Sequence, residues 1–378
     1  MIYLDNAATT FPKPNFITNS VSNCLKFYSA NPGRSGHKLS LKAAEQIYNC
    51  RIKIRDFFGA KSEENVIFTL NCTTAINMLL KGVLKKGDHV ICSSFEHNAV
   101  IRPLNKLKKR GVEYDIAHVF PGNTDSTVKS FEALIRKNTK LIICIHASNV
   151  NGVVLPIKEI GEMARYHGIL FAVDAAQSAG ILDINMKQMN IDYLCVAPHK
   201  GLYAPMGTGI LIADNYIDET IIEGGTGSLS NIIEQPDFLP DKFESGTVNL
   251  PGIVGISTGL DFIKSKNINK IYNKELGLIR YAYNKLKKIN KVILYNDIPT
   301  MNNYVPVLSF NIRDMHSEEI GSKLSDSGVA VRAGYHCAPL AHKMMNTIDT
   351  GTIRICPSVF TTTNDIDIFV NKLKNIVK

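Results

Sequence analysis

What the chain lacks excludes several classes of protein. No apolar run approaches the ~20 uninterrupted residues that a membrane helix needs. The N-terminus, which begins MIYLD, has neither the basic region nor the apolar core of a signal peptide. From these two absences we expect a cytoplasmic protein that does not contact a membrane.

Common metal and nucleotide motifs are also missing. The eight cysteines never occur as C-x-x-C, so we expect neither a zinc ribbon nor a thioredoxin-type site, and no bound metal. G-x-G-x-x-G does not follow the first predicted strand, and G-x-x-x-x-G-K-[ST] is absent, which argues against the usual dinucleotide and nucleoside triphosphate cradles. In a reducing compartment most of the cysteines are expected to be small buried apolar side chains.

The composition is that of a globular protein. The chain has 378 residues, of which 45% are hydrophobic and 20% are charged, which excludes a disordered chain. The length suggests two domains or one large domain with an appendage. The 43 Lys and Arg against 34 Asp and Glu give a net charge of +9. Because the lysines are scattered and no stacking aromatics interleave the densest cluster at 106–110, a solvated surface is favoured over nucleic-acid binding.

From residue 65 onward, short β-branched segments alternate with segments of helical periodicity. This alternation is typical of an α/β protein with a mainly parallel sheet. The predicted strands are 65–69, 89–92, 112–118, 140–146, 169–174, 193–197 and 209–213. The predicted helices include 73–84, 99–110 and 157–167, with an earlier one at 40–58 that Ser40 caps and Gly59 ends.

A smaller α+β part is predicted to follow a Gly-, Ser- and Pro-rich loop at 224–251. Its predicted elements are helices at 253–265 and 274–289, strands at 308–312 and 329–333, and a last helix from Asp365. No internal repeat or low-complexity tract is visible.

Polar side chains follow five of the predicted strands. Ligands of open parallel sheets bind outside the carboxyl ends of the strands, so these side chains are expected to form one site. The segments are 71–74, 96–98, 146–149, 174–177 and 198–200.

The residue types at these strand ends are compatible with pyridoxal 5′-phosphate (PLP). Thr73 and Thr74 open a helix whose free N–H groups could hold one phosphate, although an ordinary Thr N-cap is the alternative. Asp174 ends an apolar strand and needs a partner for its buried carboxylate. Lys200 lies among apolar residues and glycines and could act as a Schiff-base amine. Each residue alone is compatible with a structural role, but together they describe a PLP site.

At these residues the chain resembles a known family. The motifs are YLDNAATT at 3–10, NPGRSGH at 31–37, FEH at 95–97, VDAAQ at 173–177, HK at 199–200, FESGT at 243–247, VRAGYHCA at 331–338 and IR at 353–354. They are similar to those of class V aminotransferases in the fold-type I PLP superfamily, and within it of the cysteine desulfurase and selenocysteine lyase family. The resemblance implies a homodimer with a large PLP-binding domain at 15–250 and a small domain formed by 1–14 and 251–378.

The resemblance also implies roles around the cofactor. Lys200 would form the Schiff base, Asp174 would pair with the pyridine nitrogen, Gln177 would hydrogen-bond the phenolic oxygen, and His97 would stack on the ring and take part in catalysis. The implied phosphate ligands are Thr73, Thr74, His199 and, from the neighbouring subunit, Thr247.

On the substrate side, the resemblance makes Cys337 the nucleophile. Asn149 and Arg354 fit binding of the substrate carboxylate, and Arg332, five residues before Cys337 on the same segment, is a third implied substrate-binding residue. Arg332 and His336 carry donors that could favour a thiolate at Cys337.

Structural alternatives stay open for several of these residues. His97 could be an exposed loop histidine, and Gln177 could cap the helix that follows it. His146 and Asn149 could close a turn. Cys337 could be one more buried thiol.

The implied activity is conversion of L-cysteine to L-alanine, with the sulfur carried as a persulfide on Cys337. The alternatives are a selenocysteine lyase acting on L-selenocysteine, another class V aminotransferase or epimerase, and a non-catalytic scaffold for sulfur or iron–sulfur assembly. A plain dehydrogenase is disfavoured because the glycine fingerprint is missing.

The chain departs from the family pattern in two places. Ala197 and Pro198 stand where the family commonly has Ser and Gly, so we hypothesise that Thr226 or Ser228 replaces one phosphate contact. The cysteine loop is short, with Pro339 close behind Cys337, which resembles the group II enzymes and suggests a protein sulfur acceptor.

Overall fold

The computed structural model describes residues 1–33 and 36–377, so Arg34 and Ser35 of the NPGRSGH motif lie outside the described residues. The helices are α1 (Asn15–Phe27), α2 (Lys38–Phe58), α3 (Cys72–Val83), α4 (Asn98–Lys108), α5 (Thr124–Glu132), α6 (Ile157–Tyr166), α7 (Leu250–Lys266), α8 (Ile268–Leu286), α9 (Ser317–Asp326), α10 (Pro339–Met344) and α11 (Thr363–Ile376). The strands are β1 (Ile2–Tyr3), β2 (Val66–Thr69), β3 (His89–Ser93), β4 (Glu113–Ala117), β5 (Thr139–Ile145), β6 (Leu170–Asp174), β7 (Tyr193–Val196), β8 (Gly209–Ala213), β9 (Val292–Leu294), β10 (Leu308–Ile312), β11 (Val329–Ala330), β12 (Arg332–Gly334) and β13 (Thr352–Ile355).

The larger sheet has seven strands in the order β2-β8-β7-β6-β5-β3-β4. Strands β4, β3, β5, β6 and β7 run parallel to one another, and β8 is antiparallel to both β7 and β2. Alternate residues of β3 pack into two hydrophobic cores on opposite faces of the sheet. Ile91 lies in one core, and Val90 and Cys92 lie in the other. A sheet covered on both faces explains the near-continuous apolar runs of its strands, and the predicted α/β fold with a seven-stranded sheet is confirmed.

A second sheet of four antiparallel strands, in the order β12-β13-β10-β9, forms the core of the remaining α+β part. Residues of α8, α9 and α11 pack with it, among them Ile279, Ile320 and Phe369. The N-terminal segment joins this core, because β1 pairs with β11 and Leu4 is buried there. Helix α7 instead places Ile253 in the core of the larger sheet. The domain boundaries given above stay a prediction.

Three local predictions were wrong. Helix α2 begins at Lys38, and its N-cap is His37, whose ring nitrogen accepts from the backbone N–H of Ser40. Helix α8 begins at Ile268 after Asn267, whose side chain caps it. The predicted strand at 329–333 is two strands, because its first part pairs with β1 and its second with β13.

Within the described residues, the structure contains no helix with the length and apolar character needed to cross a membrane.

Candidate active site

The carboxyl ends of β3, β5, β6 and β7 and the start of α3 meet at one edge of the larger sheet. Asp174 is the last residue of β6, and the loop after β7 carries Lys200 close enough for the two charges to interact. His97 follows β3 and lies within the electrostatic reach of Lys200 and Arg354. The structure therefore brings the predicted cofactor and substrate residues together.

Asp174 is a buried carboxylate. Its side chain is 2% exposed, and its Oδ1 accepts from the N–H of Ala176 at 2.9 Å and from the thiol of Cys72 at 3.7 Å. Burial raises the pKa of Asp174, and the N–H of Ala176 and the charge of Lys200 oppose that rise. No Lys or Arg in the described residues forms an ion pair with it, so a positively charged ligand would stabilise its ionised form.

Lys200 sits in a tight turn after β7, in which its backbone N–H donates to Ala197 O at 3.1 Å. Gly201 fixes this turn against the loop after β6, because a Cβ at 201 would lie 2.2 Å from Ala179 O. Among the described residues the Lys200 amine has no hydrogen-bond partner. Burial lowers its pKa, as do Arg354 and Arg332, while Asp174 opposes the shift. A larger neutral fraction makes the amine a better nucleophile toward a carbonyl.

The start of α3 presents free backbone N–H groups. The Asn71 side chain accepts from the N–H of Thr74 at 2.8 Å. The N–H groups of Cys72 and Thr73 have no acceptor in the described part of the chain and lie at the positive end of the helix. Thr73 is exposed and Thr74 is half-buried, so both hydroxyls are accessible.

Two further predicted phosphate ligands differ in their surroundings. Among the described residues the buried Nδ1 atom of His199 has no partner, and burial, Lys200 and Lys13 lower the pKa of the ring to about 4, which keeps it neutral. Thr247 is exposed and lines a groove of about 220 Å³ together with Thr74. Thr226 donates to Ser228 at 3.1 Å and Ser228 donates to Asp241, so both hydroxyl protons are used within this part of the chain.

His97 caps helix α4 and is not an exposed loop residue. Its Nδ1 accepts from the N–H of Ala99 at 3.0 Å, which places the proton of the neutral ring on Nε2. Burial lowers the pKa of His97 to about 4, and the cations around it add to the shift. Gln177 does not cap a helix, because its Nε2 donates to Ala7 O at 3.0 Å.

Arg354, on β13, is a buried guanidinium with a free donor. Its Nη1 donates to Asn149 O at 2.8 Å and its Nη2 to Asp5 Oδ1 at 2.7 Å, while its Nε is buried without a partner in the described residues. Arg332 is the cross-strand partner of Arg354, so the two side chains share one face of the sheet. Asn149 joins this pair to the cysteine loop, because its Nδ2 donates to His336 O at 2.7 Å.

The cysteine loop presents Cys337 to solvent. All eight cysteines lie in the described residues, and Cys337 is the exposed one. The φ angles of Gly334, His336 and Cys337 are 102°, 50° and 57°, and Asn98 donates its backbone N–H to Cys337 O at 2.7 Å. Because the Cys337 thiol is exposed, the alternative of a buried structural cysteine is removed.

The donor of His336 that was expected to favour a thiolate at Cys337 is directed at Thr352 instead. Its Nε2 lies 3.0 Å from both oxygens of Thr352, and the side chain is buried. Burial lowers the pKa of His336 to about 2, so the ring is neutral. Of the two residues predicted to favour the thiolate, Arg332 is the one that carries a positive charge.

Comparison with known proteins identifies the family. The model of the class V aminotransferases matches residues 2–369. The chain belongs to the class V aminotransferase family. Members of this family use PLP, and the resemblance seen in the sequence is confirmed.

Within the class V aminotransferases, this chain is similar to cysteine desulfurases. It is 31% identical to a probable cysteine desulfurase of Methanothermobacter thermautotrophicus, over 99% of this chain and 94% of that protein. The apo structure of a cysteine desulfurase from Thermococcus onnurineus NA1 has a TM-score of 0.90 and 29% identity, covering 100% of this chain and 94% of that one. A cysteine desulfurase of Escherichia coli shares the fold, with a TM-score of 0.85, 24% identity, and 99% and 94% of the two chains covered.

Two residues of this class V aminotransferase site were missed from the sequence. Asp5 pairs with Arg354, and the thiol of Cys72 contacts Asp174. Cys72 lies in a predicted strand-end segment, and Asp5 lies in the N-terminal motif. Both residues therefore lie in segments that the sequence analysis had singled out. No local pattern in the sequence indicated which residue each of them would contact.

Proposed function

We propose that the chain is a PLP-dependent cysteine desulfurase, which converts L-cysteine to L-alanine and retains the sulfur as a persulfide on Cys337. The observation that carries the proposal is the hydrogen-bonded link between Arg354 and the cysteine loop. Asn149 bridges the buried Arg354 to the loop of the exposed Cys337. The link supports the proposal because it connects the loop of an exposed thiol to a buried guanidinium, at the sheet edge that holds Lys200 and Asp174.

The residues present fit the cofactor. Asp174 is a buried carboxylate that suits a protonated ring nitrogen, and the Lys200 amine suits a carbonyl. The unsatisfied Nδ1 of His199 and the start of α3 suit a phosphate. When bound, PLP withdraws electrons from the Cα of an amino acid attached through its amine.

The chain's own residues then bind the substrate and move its proton. The buried Nε of Arg354 is a donor available to a carboxylate, and Arg332 adds positive charge on the same face. The Lys200 amine removes the Cα proton as a general base, since burial favours its neutral form. Asp174 holds the proton on the ring nitrogen, and the neutral His97 can donate through Nε2.

Cys337 carries out the sulfur transfer. Its thiolate attacks the substrate sulfur, so that an S–S bond forms while the C–S bond breaks and leaves its electron pair on the carbon skeleton. Protonation of that carbon gives alanine, and the persulfide stays on Cys337. Because Cys337 is exposed, a thiol reductant or a protein sulfur acceptor can reach the persulfide.

The proposal includes a homodimer in the cytoplasm. Large apolar side chains are exposed on and near α1, among them Phe11, Phe16, Leu25 and Phe27, as expected for a surface that a second copy covers. All eight cysteines are free, as in a reducing compartment.

The activity is tested by assaying the purified protein for alanine and sulfide with L-cysteine and a thiol reductant, and by recording its absorbance spectrum. We expect a cofactor band in the wild type that changes in the Lys200→Ala variant. Alanine formation should be abolished in Cys337→Ala, although this variant keeps the wild-type spectrum.

Alanine formed from L-cysteine at the wild-type rate by Cys337→Ala would contradict the persulfide mechanism. Turnover of L-selenocysteine but not of L-cysteine would instead identify a selenocysteine lyase. A protein with no cofactor band and no activity would be a scaffold.

A further inference from the structure

Asp5 lies directly after β1, more than three hundred residues from the guanidinium that it contacts. Its Oδ1 accepts from Arg354 Nη2 at 2.7 Å. The backbone of Asp5 forms an isolated parallel β-bridge with that of Cys356. In the described part of the chain, Asp5 is the carboxylate that forms an ion pair with Arg354. The side chain of Arg354 is 2% exposed and that of Asp5 20%, so the pair is largely shielded from water.

Two bonds fix the plane of the Arg354 guanidinium. Asp5 holds Nη2, and Asn149 O holds Nη1. Nε is then the nitrogen left without a partner. When both terminal nitrogens are held, the orientation of the planar guanidinium is fixed, and its remaining N–H donors point in fixed directions. This suits recognition of a carboxylate.

Charge gives Asp5 a second effect. Arg332 faces Arg354 across the β12–β13 pair, so two guanidinium groups share one face of the sheet. The positive charge of Arg332 opposes a second cation there, and Asp5 offsets it. Without Asp5, Arg354 would be a buried cation with a neutral partner only, and such a group tends to move toward solvent.

We infer that Asp5 is the positioning residue for recognition of the substrate carboxylate, because it holds Arg354 in the orientation that presents Nε. The inference rests on the proposed function, since it assigns the N-terminal segment a role in that site. It concerns the carboxylate alone, so a ligand without one should not be affected.

The test compares two ligands of the PLP-loaded protein, L-alanine and ethylamine, which has the amine without the carboxylate. Their dissociation constants are measured from the change in cofactor absorbance. We expect Asp5→Ala to weaken L-alanine at least tenfold and ethylamine less than twofold, with Asp5→Asn in between because it keeps an acceptor for Nη2. The KM for L-cysteine should rise in parallel, with kcat within about twofold of wild type.

Tyr3→Phe is the matched control. The Tyr3 hydroxyl donates to the backbone oxygens of Asp5 at 3.2 Å and of Thr9 at 3.0 Å, and among the described residues it forms no hydrogen bond with Arg354. This variant disturbs the same segment and should bind L-alanine as the wild type does. Thermal unfolding of each variant checks that the fold is retained.

Two results would overturn the inference on its own: wild-type preference for L-alanine in Asp5→Ala, or equal weakening of both ligands, which indicates general damage. A wild-type protein that does not prefer L-alanine to ethylamine would overturn the carboxylate role of Arg354. The substrate assignment of the proposed function would then fail together with the inference.

Discussion

At the scale of single residues, the site keeps its bases neutral through burial. Burial lowers the pKa values of His97, His146 and His199 to about 4, and it also lowers the pKa of Lys200. The three histidines therefore stay neutral at neutral pH and bind a proton only weakly, whereas the lowered pKa gives the Lys200 amine a larger neutral fraction that can accept one. The same burial that forms the crevice therefore prepares Lys200 for proton abstraction.

Glu96 shows the opposite shift and leads to a pH-dependent prediction. Its Oε1 accepts from the N–H of Ile145 at 2.8 Å and from Ser93, while its Oε2 is buried without a partner in the described residues. Burial raises the pKa of Glu96 to about 8. Between the unfolded pKa, near 4.5, and about 8, the folded protein binds the extra proton, so its free energy of unfolding falls as pH rises, by up to about 1.4 kcal/mol per pH unit.

Glu96→Gln removes this titration. We expect the stability of the variant relative to wild type to increase from pH 5 to pH 8, as measured by urea unfolding of the apo protein at several pH values. Glu64→Gln, on the surface, is the control and should give a curve parallel to that of wild type. Parallel curves for Glu96→Gln would show that the carboxyl is already ionised in the folded protein.

At the scale of elements, the backbone of the cysteine loop fixes the position of the nucleophile. Gly334 has φ of 102°, where a side chain is strained by about 1–2 kcal/mol, and a Cβ there would meet only Glu318 Oε1, at 3.5 Å. Gly334→Ala should therefore change the backbone angle without creating a clash. We expect alanine formation from L-cysteine to slow about tenfold or more, while the cofactor spectrum stays that of wild type.

Gly122→Ala is the matched control for this prediction. Gly122 has φ of 75° and open space around its Cα, in the loop before α5. It should lose comparable stability in thermal unfolding but keep the wild-type rate. Equal rates in both variants would show that the loop backbone does not position Cys337.

The strands of the larger sheet were predictable because they are apolar and bounded by polar segments. One of the elements that were wrong depends on partners distant in the chain. Residues 329–333 were predicted as one strand, but the first part pairs with β1 and the second with β13, in different sheets. The cap of α2 was misplaced because a histidine accepts from the N–H of Ser40.

The candidate site likewise has residues that could be predicted from the sequence and contacts that could not. Asp174 and Lys200 could be found because each follows a strand of the sheet, where ligands bind. The contact between Asp5 and Arg354 joins the two ends of the chain, and no periodicity or spacing reports it. The motif at 3–10 indicated that the segment matters, and only the fold shows what it touches.

At the scale of the whole molecule, the position of Thr247 raises the question of which subunit it serves. It is exposed, and it lines the same groove as Thr74 of its own chain. The family resemblance implies that it instead reaches the phosphate in the neighbouring subunit. The two arrangements differ in whether a single chain can complete its own site.

Mixed dimers separate these arrangements. Lys200→Ala and Thr247→Ala subunits with different affinity tags are coexpressed, and the heterodimer is purified through both tags. Its one site with Lys200 lies in the Thr247→Ala subunit, so Thr247 can come to that site only from the partner. We expect the heterodimer to reach half of the wild-type activity at the wild-type PLP concentration, whereas the Thr247→Ala homodimer should need about tenfold more PLP, roughly the loss of one phosphate hydrogen bond. If the heterodimer needs the same excess of PLP as that homodimer, Thr247 serves its own subunit and the homodimer is not required to complete the phosphate site.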